Sequence, residues 1–108
     1  MKRGELWVAA GAGYLSKPRP VLIVQDDRYS QTESVTVCLL TSLPVEADLW
    51  RVEIEASGAT GLDVTSFVQI DKVTSTRRRN LARRIGVISS AQMRAVERRL
   101  AAFLGLAG

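Results

Sequence analysis

Between Leu49 and Glu55 the chain alternates cleanly, with Trp50, Val52 and Ile54 on one parity and Arg51, Glu53 and Glu55 on the other. That is the period of an antiparallel strand with one buried and one wet face. The same period returns from Ser66 to Val73, where Val68 and Ile70 take the core side and Gln69 and Asp71 point outward together. Three further apolar runs, Glu5 to Val8, Val21 to Val24 and Ser34 to Leu40, are too short for typical helices and read as strands; Val21 to Val24 has both faces covered. Gly11 and Gly13 mark a surface loop, in which Tyr14 is a loop anchor or a base-stacking ring, and Gly58 and Gly61 mark a turn. The segment Arg77 to Arg84 reads as a turn or short helix running into a last strand before Gly86. Only at the C-terminus does the period change. Ser89 and Gln92 match a capping box, and Met93, Val96, Leu100, Phe103 and Leu104 form one stripe opposite Arg94, Glu97, Arg98 and Ala101. Gly105 stands where a helix stops. Five or six short strands and one terminal helix predict a mainly β (α+β) fold, a small antiparallel barrel with the helix packed across it.

Composition narrows the chemistry. The 108 residues suit a single domain spanning 1–108 with one core. No apolar run approaches membrane-spanning length and the N-terminus leads straight into a strand, so a cytoplasmic protein with no membrane partner is expected. One cysteine and no histidine exclude an intrachain disulfide and the usual zinc sites, so neither metal nor cofactor is expected and Cys38 reads as a core residue. The net charge of +4 is concentrated. Lys72, Arg77, Arg78, Arg79, Arg83 and Arg84 fall close together, which is either a solvated face or the footprint of a polyanion, with nucleic acid first.

The most informative stretch is Lys17-Pro18-Arg19-Pro20-Val21-Leu22-Ile23-Val24. Each proline fixes its own φ and biases the residue before it to extended geometry, so Arg19 is held on a stiff rim at the start of a buried strand. A planar, permanently charged guanidinium held that way suits a phosphate. Thr41 and Ser42 place two hydroxyls at the end of another strand, where such groups often satisfy local backbone in a turn.

The order of Arg3-Gly4-Glu5-Leu6-Trp7, the Lys17 to Val24 segment, Leu40-Thr41-Ser42, Val68-Gln69-Ile70-Asp71-Lys72-Val73, Ile85-Gly86-Val87-Ile88 and the terminal helix resembles the MazF/PemK (Kid) family of toxin endoribonucleases over nearly the whole chain. The resemblance implies an SH3-like, CcdB/MazF-like barrel that dimerises and cuts single-stranded RNA without a metal. It also implies a cognate MazE/PemI-like antitoxin whose flexible acidic tail fills the RNA groove. Arg19 matches the family's catalytic arginine and Thr41 its catalytic threonine. Some members carry an acidic residue where this chain has Val68, and others a histidine that it lacks, so proton transfer is unassigned. Asp71 is either a base or the partner of a nearby arginine. Lys17, Ser42, Gln69, Lys72, Arg77, Arg78 and Arg79 are the expected RNA-contacting residues. A substrate that brings its own 2′-hydroxyl needs no protein nucleophile, which suits this residue set. The competing readings are an RNA-binding barrel without catalysis and a CcdB-like gyrase poison. The second implies a tryptophan near the C-terminus, where this chain ends Leu104-Gly105-Leu106-Ala107-Gly108.

Overall fold

Every apolar run is a strand in the computed structural model, which describes residues 1–11, 16–44 and 50–106; Tyr14 and Leu49 lie outside them. The strands are β1 (Glu5–Ala9), β2 (Arg19–Ile23), β3 (Ser34–Thr41), β4 (Arg51–Ile54), β5 (Ser66–Arg77) and β6 (Leu81–Val87), followed by helix α1 (Ser90–Phe103). They form one antiparallel sheet in the order β4-β5-β3-β2-β1-β6.

Cross-strand rows show how the pattern becomes packing. Leu6 pairs with Leu22, Leu22 with Cys38 and Cys38 with Val73, and this face carries the main core with Leu40, Ile54, Val68, Ile70 and Val96 of the helix. The opposite face carries a second apolar cluster of Ala9, Val21, Ile23, Val35, Val37 and Leu81, with Trp7, Leu39 and Met1 against it. Strand β2 is therefore covered on both sides, as its unbroken apolar run predicts. Cys38 is fully buried, and burial, with the Asp71 charge adding to it, pushes its thiol up to about 12. Thiol reagents should modify it only after unfolding. Rapid labelling of the native protein would contradict this packing.

The sheet curls because β5 does not track β3 evenly. Between the pairs Cys38–Val73 and Leu40–Val68, two steps along β3 correspond to five along β5, so Gln69 to Lys72 bulge out of the ladder. At the far edge, the loop of residues 55–65 crosses to β6, where the Val87 N–H donates to the Ala59 carbonyl at 2.9 Å. Close backbone approach makes this possible. A Cβ on Gly61, whose φ is +68°, would stand 1.9 Å from the Ile85 carbonyl oxygen, and one on Gly86 would stand 2.2 Å from that of Thr60. Gly61→Ala is expected to cost on the order of 3 kcal/mol, combining a left-handed φ with a backbone clash. It should lower Tm by about 10 °C or more; an unchanged Tm would mean the loop does not close the sheet this way.

Helix α1 begins as its sequence dictates. The Ser89 hydroxyl accepts the Gln92 N–H at 3.1 Å, and the Gln92 amide oxygen accepts the Ser89 N–H at 2.9 Å. Gly105, at φ +73°, ends it. Arg3 ties the N-terminal segment to the helix through Glu97, with Nη2 to Oε2 at 2.9 Å.

Four expectations shift. Trp50 precedes β4 and is 40% exposed, because the pairing with β5 starts at Arg51–Gln69. Strand β5 runs on to Arg77, since the first half of β3 needs a partner and takes Thr74 to Arg77. The last strand runs through Gly86 to Val87, because β1 still pairs there, Leu6 with Gly86 and Glu5 with Val87. Met93, Val96 and Leu100 pack on the core, whereas Phe103 and Leu104 are 49% and 53% exposed, as the last turn runs past the sheet.

Candidate active site

Three elements meet at one mouth of the curled sheet. Val21 pairs with Leu39, and that register continued by two residues sets Arg19 across from Thr41, where β2 begins and β3 ends. On the other side of β2, Ala9 pairs with Arg19 and Val8 with Pro20, while β6 brings Arg83 opposite Val8. The space above this row is a groove of about 600 Å³ with Arg19, Thr41, Ser42, Asp63, Ser66 and Arg83 around it and an apolar floor that includes Val8, Pro20, Leu40, Leu62 and Ile85.

Sequence places each group where chemistry can use it. Arg19 is exposed beside two prolines that stiffen its backbone. The Thr41 hydroxyl oxygen accepts the Leu43 N–H at 3.2 Å, so the turn that closes β3 uses an oxygen lone pair and leaves the hydroxyl proton to donate. The expected local role of this hydroxyl and a catalytic one are therefore compatible. Two guanidinium groups and a hydroxyl donor converge on a partly apolar cleft, which is an anion site suited to a phosphodiester.

The remaining expected residues are distributed differently. Lys17 is exposed next to Pro18, a groove residue, but does not itself line the groove. Gln69, Asp71 and Lys72 lie on the bulged part of β5, also outside its lining. Asp71 is held there by an ion pair with Arg51, whose side chain is only 14% exposed. Arg77, Arg78 and Arg79 border a second hollow of about 520 Å³ with Gln31, Thr32 and Glu33. They are not equivalent. Arg78 is half-buried and donates to the carbonyls of Thr32, at 2.8 Å from Nη2, and Ser30, so it pins the loop before β3. Arg77 and Arg79 are exposed. Among the described residues, no three of His, Cys, Asp and Glu come together as a metal-ligand set.

Arg83 and Asp63 join the groove without having been expected there. Arg83 was visible only as part of a charge run, and Asp63 follows a turn glycine in a loop whose destination the sequence does not state.

Comparison with known proteins shows the family and the fold. Residues 2–104 match the family model described as PemK-like, MazF-like toxin of type II toxin-antitoxin system. A probable endoribonuclease MazF of Mycolicibacterium smegmatis is 47% identical, with the whole of both chains covered. Among solved structures, an endoribonuclease in complex with its cognate antitoxin from a mycobacterial species superposes with a TM-score of 0.84 at 25% identity, covering 100% of this chain and 98% of that one. The toxin MazF-mt6 of Mycobacterium tuberculosis gives 0.82 at 25% identity, covering 96% and 99%. With sheet order, terminal helix and full-length sequence similarity all in agreement, the chain belongs to the family of PemK-like, MazF-like toxins of type II toxin–antitoxin systems.

Proposed function

We propose that this toxin is an endoribonuclease that cleaves single-stranded RNA in the groove of Arg19 and Thr41, with the substrate's own 2′-hydroxyl as nucleophile and no metal. The observation that carries the reading is the meeting of Arg19 from β2, Thr41 from β3 and Arg83 from β6 in one cleft. As the 2′-oxygen attacks, charge grows on the non-bridging oxygens of a five-coordinate phosphorus, and fixed donors aimed at those oxygens lower the barrier. Arg19 supplies charge and two parallel N–H groups; Thr41 supplies the hydroxyl proton that orients the phosphate. Asp71 acts through its ion pair with Arg51, a structural role supported by its place outside the groove. Purified protein should cut a mixed-sequence RNA in EDTA, leaving 2′,3′-cyclic phosphate and 5′-hydroxyl ends. Binding without cleavage would favour the non-catalytic barrel.

The site of action is the cytoplasm, where messenger RNA is translated; no helix among the described residues is long and apolar enough to cross a membrane. The working form is a homodimer that extends a short groove, and light scattering should give twice the chain mass at micromolar concentration. Inhibition is by the acidic tail of a cognate antitoxin. Because that contact opposes charges across a solvent-exposed groove, raising salt should weaken it.

RNA outside the cleavage groove runs over the β5–β6 turn. Contacts to phosphate there contribute salt-dependent affinity, whereas donors at the scissile phosphate contribute rate. Replacing Arg77 and Arg79 together by Gln, with Arg78 kept for its loop contacts, should weaken RNA binding and flatten its salt dependence. Cleavage at saturating RNA should stay within a fewfold of the unmodified protein. A collapse of single-turnover rate with binding intact would place the active site here instead.

A further inference from the structure

Asp63 is an anomaly in a cleft read as an RNA site, being a carboxylate placed among groups suited to phosphate. It lines the groove with Arg19, Thr41 and Arg83, it is exposed, and it takes part in none of the ion pairs among the described residues, which join Arg3 to Glu97, Arg28 to Asp26, Arg51 to Asp71 and Arg84 to Glu5. Its backbone is also held. The loop that carries it is bound down before it by the Thr60 hydroxyl, which donates to the Glu55 carbonyl at 3.0 Å and accepts the Ser57 N–H at 3.1 Å, and by Leu62, which is buried in the main core. After it the loop is held by buried Ser66, whose hydroxyl donates to the Val64 carbonyl at 3.0 Å. The backbone of Gly61 lies directly against that of Ile85. A carboxylate so held repels phosphate and favours parts of the ligand that offer it hydrogen-bond donors; in single-stranded RNA these are the 2′-hydroxyls, one donor each, and the bases, where N–H donors can be paired to match both carboxylate oxygens.

We propose that Asp63 is a specificity residue that reads guanine in the bound RNA, its two oxygens accepting from the N1–H and the N2 amino group. This rests on the reading of the groove as the RNA site. The choice of base follows from donor geometry. Guanine alone presents two adjacent donors on its Watson–Crick edge. Adenine and cytosine set a ring-nitrogen acceptor beside their amino group, and uracil sets carbonyls on both sides of its N3–H, so each would turn a lone pair toward one carboxylate oxygen. The role is selection of sequence, separate from the chemistry at phosphorus.

The test is cleavage of a random-sequence RNA pool by the unmodified protein and by Asp63→Asn, with the ends sequenced. Asparagine keeps the shape but offers one acceptor and one donor, so it no longer matches guanine. The unmodified protein should prefer guanine at one position near the cut, and Asp63→Asn should reduce that preference by about tenfold or more. Cleavage with the same preference in both proteins would overturn the assignment alone, as would a uniform loss of rate or the loss of a preference for a different base. No cleavage by the unmodified protein would overturn the ribonuclease reading, and this assignment with it.

Discussion

Arg19→Ala is expected to lower the single-turnover rate of RNA cleavage by about 10²–10³-fold at saturating substrate, the usual loss when one preorganised donor to a developing oxyanion is removed. The effect should fall on rate more than on binding, because the guanidinium matters most when the phosphorus carries extra charge. Stability should barely change, since Arg19 is exposed at the first position of β2 while Val21, Leu22 and Ile23 hold the strand. Arg19→Lys should rescue poorly, as a single ammonium cannot reproduce two parallel N–H groups. Thr41→Ala should give a loss of similar kind, and Thr41→Ser should retain most activity because it keeps both the proton and the oxygen that accepts the Leu43 N–H. Full activity in Arg19→Ala would remove this groove from consideration as the active site.

The placement of Arg19 and Thr41 was legible in the sequence because backbone chemistry marks both strand ends, whereas the roles proposed for them come from the family resemblance. Two prolines announce an extended Arg19, and a β-branched run that stops at hydroxyls announces Thr41. The helix start was legible for the same reason, as the Ser89–Gln92 box is a local device whose hydrogen bonds need no tertiary partner. Features that depend on which distant segments meet were not. Gly61 reads as a turn residue and Gly86 as the residue after the last strand, yet their missing Cβ atoms let the loop of residues 55–65 lie against β6, and that loop carries Asp63 to the groove. The bulge at Gln69 to Lys72 is invisible to a two-residue alternation, and Gln69, Asp71 and Lys72 on it do not line the groove of Arg19 and Thr41. Arg77, Arg78 and Arg79 look alike in sequence, and burial against the Ser30 and Thr32 carbonyls sets Arg78 apart. Phe103 and Leu104 continue the helical stripe, but periodicity carries no information about where the sheet beneath it ends.

The second large effect concerns the nucleophile. An attacking water or side chain needs a base, a metal or a lowered pKa to be reactive near neutral pH. This chain has no histidine, and its single thiol is sealed in the core with its proton held on. Asp71 is occupied by Arg51, and Asp63, the one carboxylate lining the groove among the described residues, is the residue proposed above to read a nucleobase. The substrate's 2′-hydroxyl needs less help, because it is already positioned beside the phosphorus and attack is intramolecular.

The most direct measurement of the central claim is therefore made on the substrate. A single deoxyribose placed on the 5′ side of the scissile bond, in an otherwise unmodified RNA, removes one oxygen and leaves every phosphate and base in place. Binding should persist and cleavage at that bond should vanish, while the all-ribose strand is cut to a 2′,3′-cyclic phosphate and a 5′-hydroxyl. Cleavage of the deoxy-substituted bond at an undiminished rate would contradict the mechanism outright.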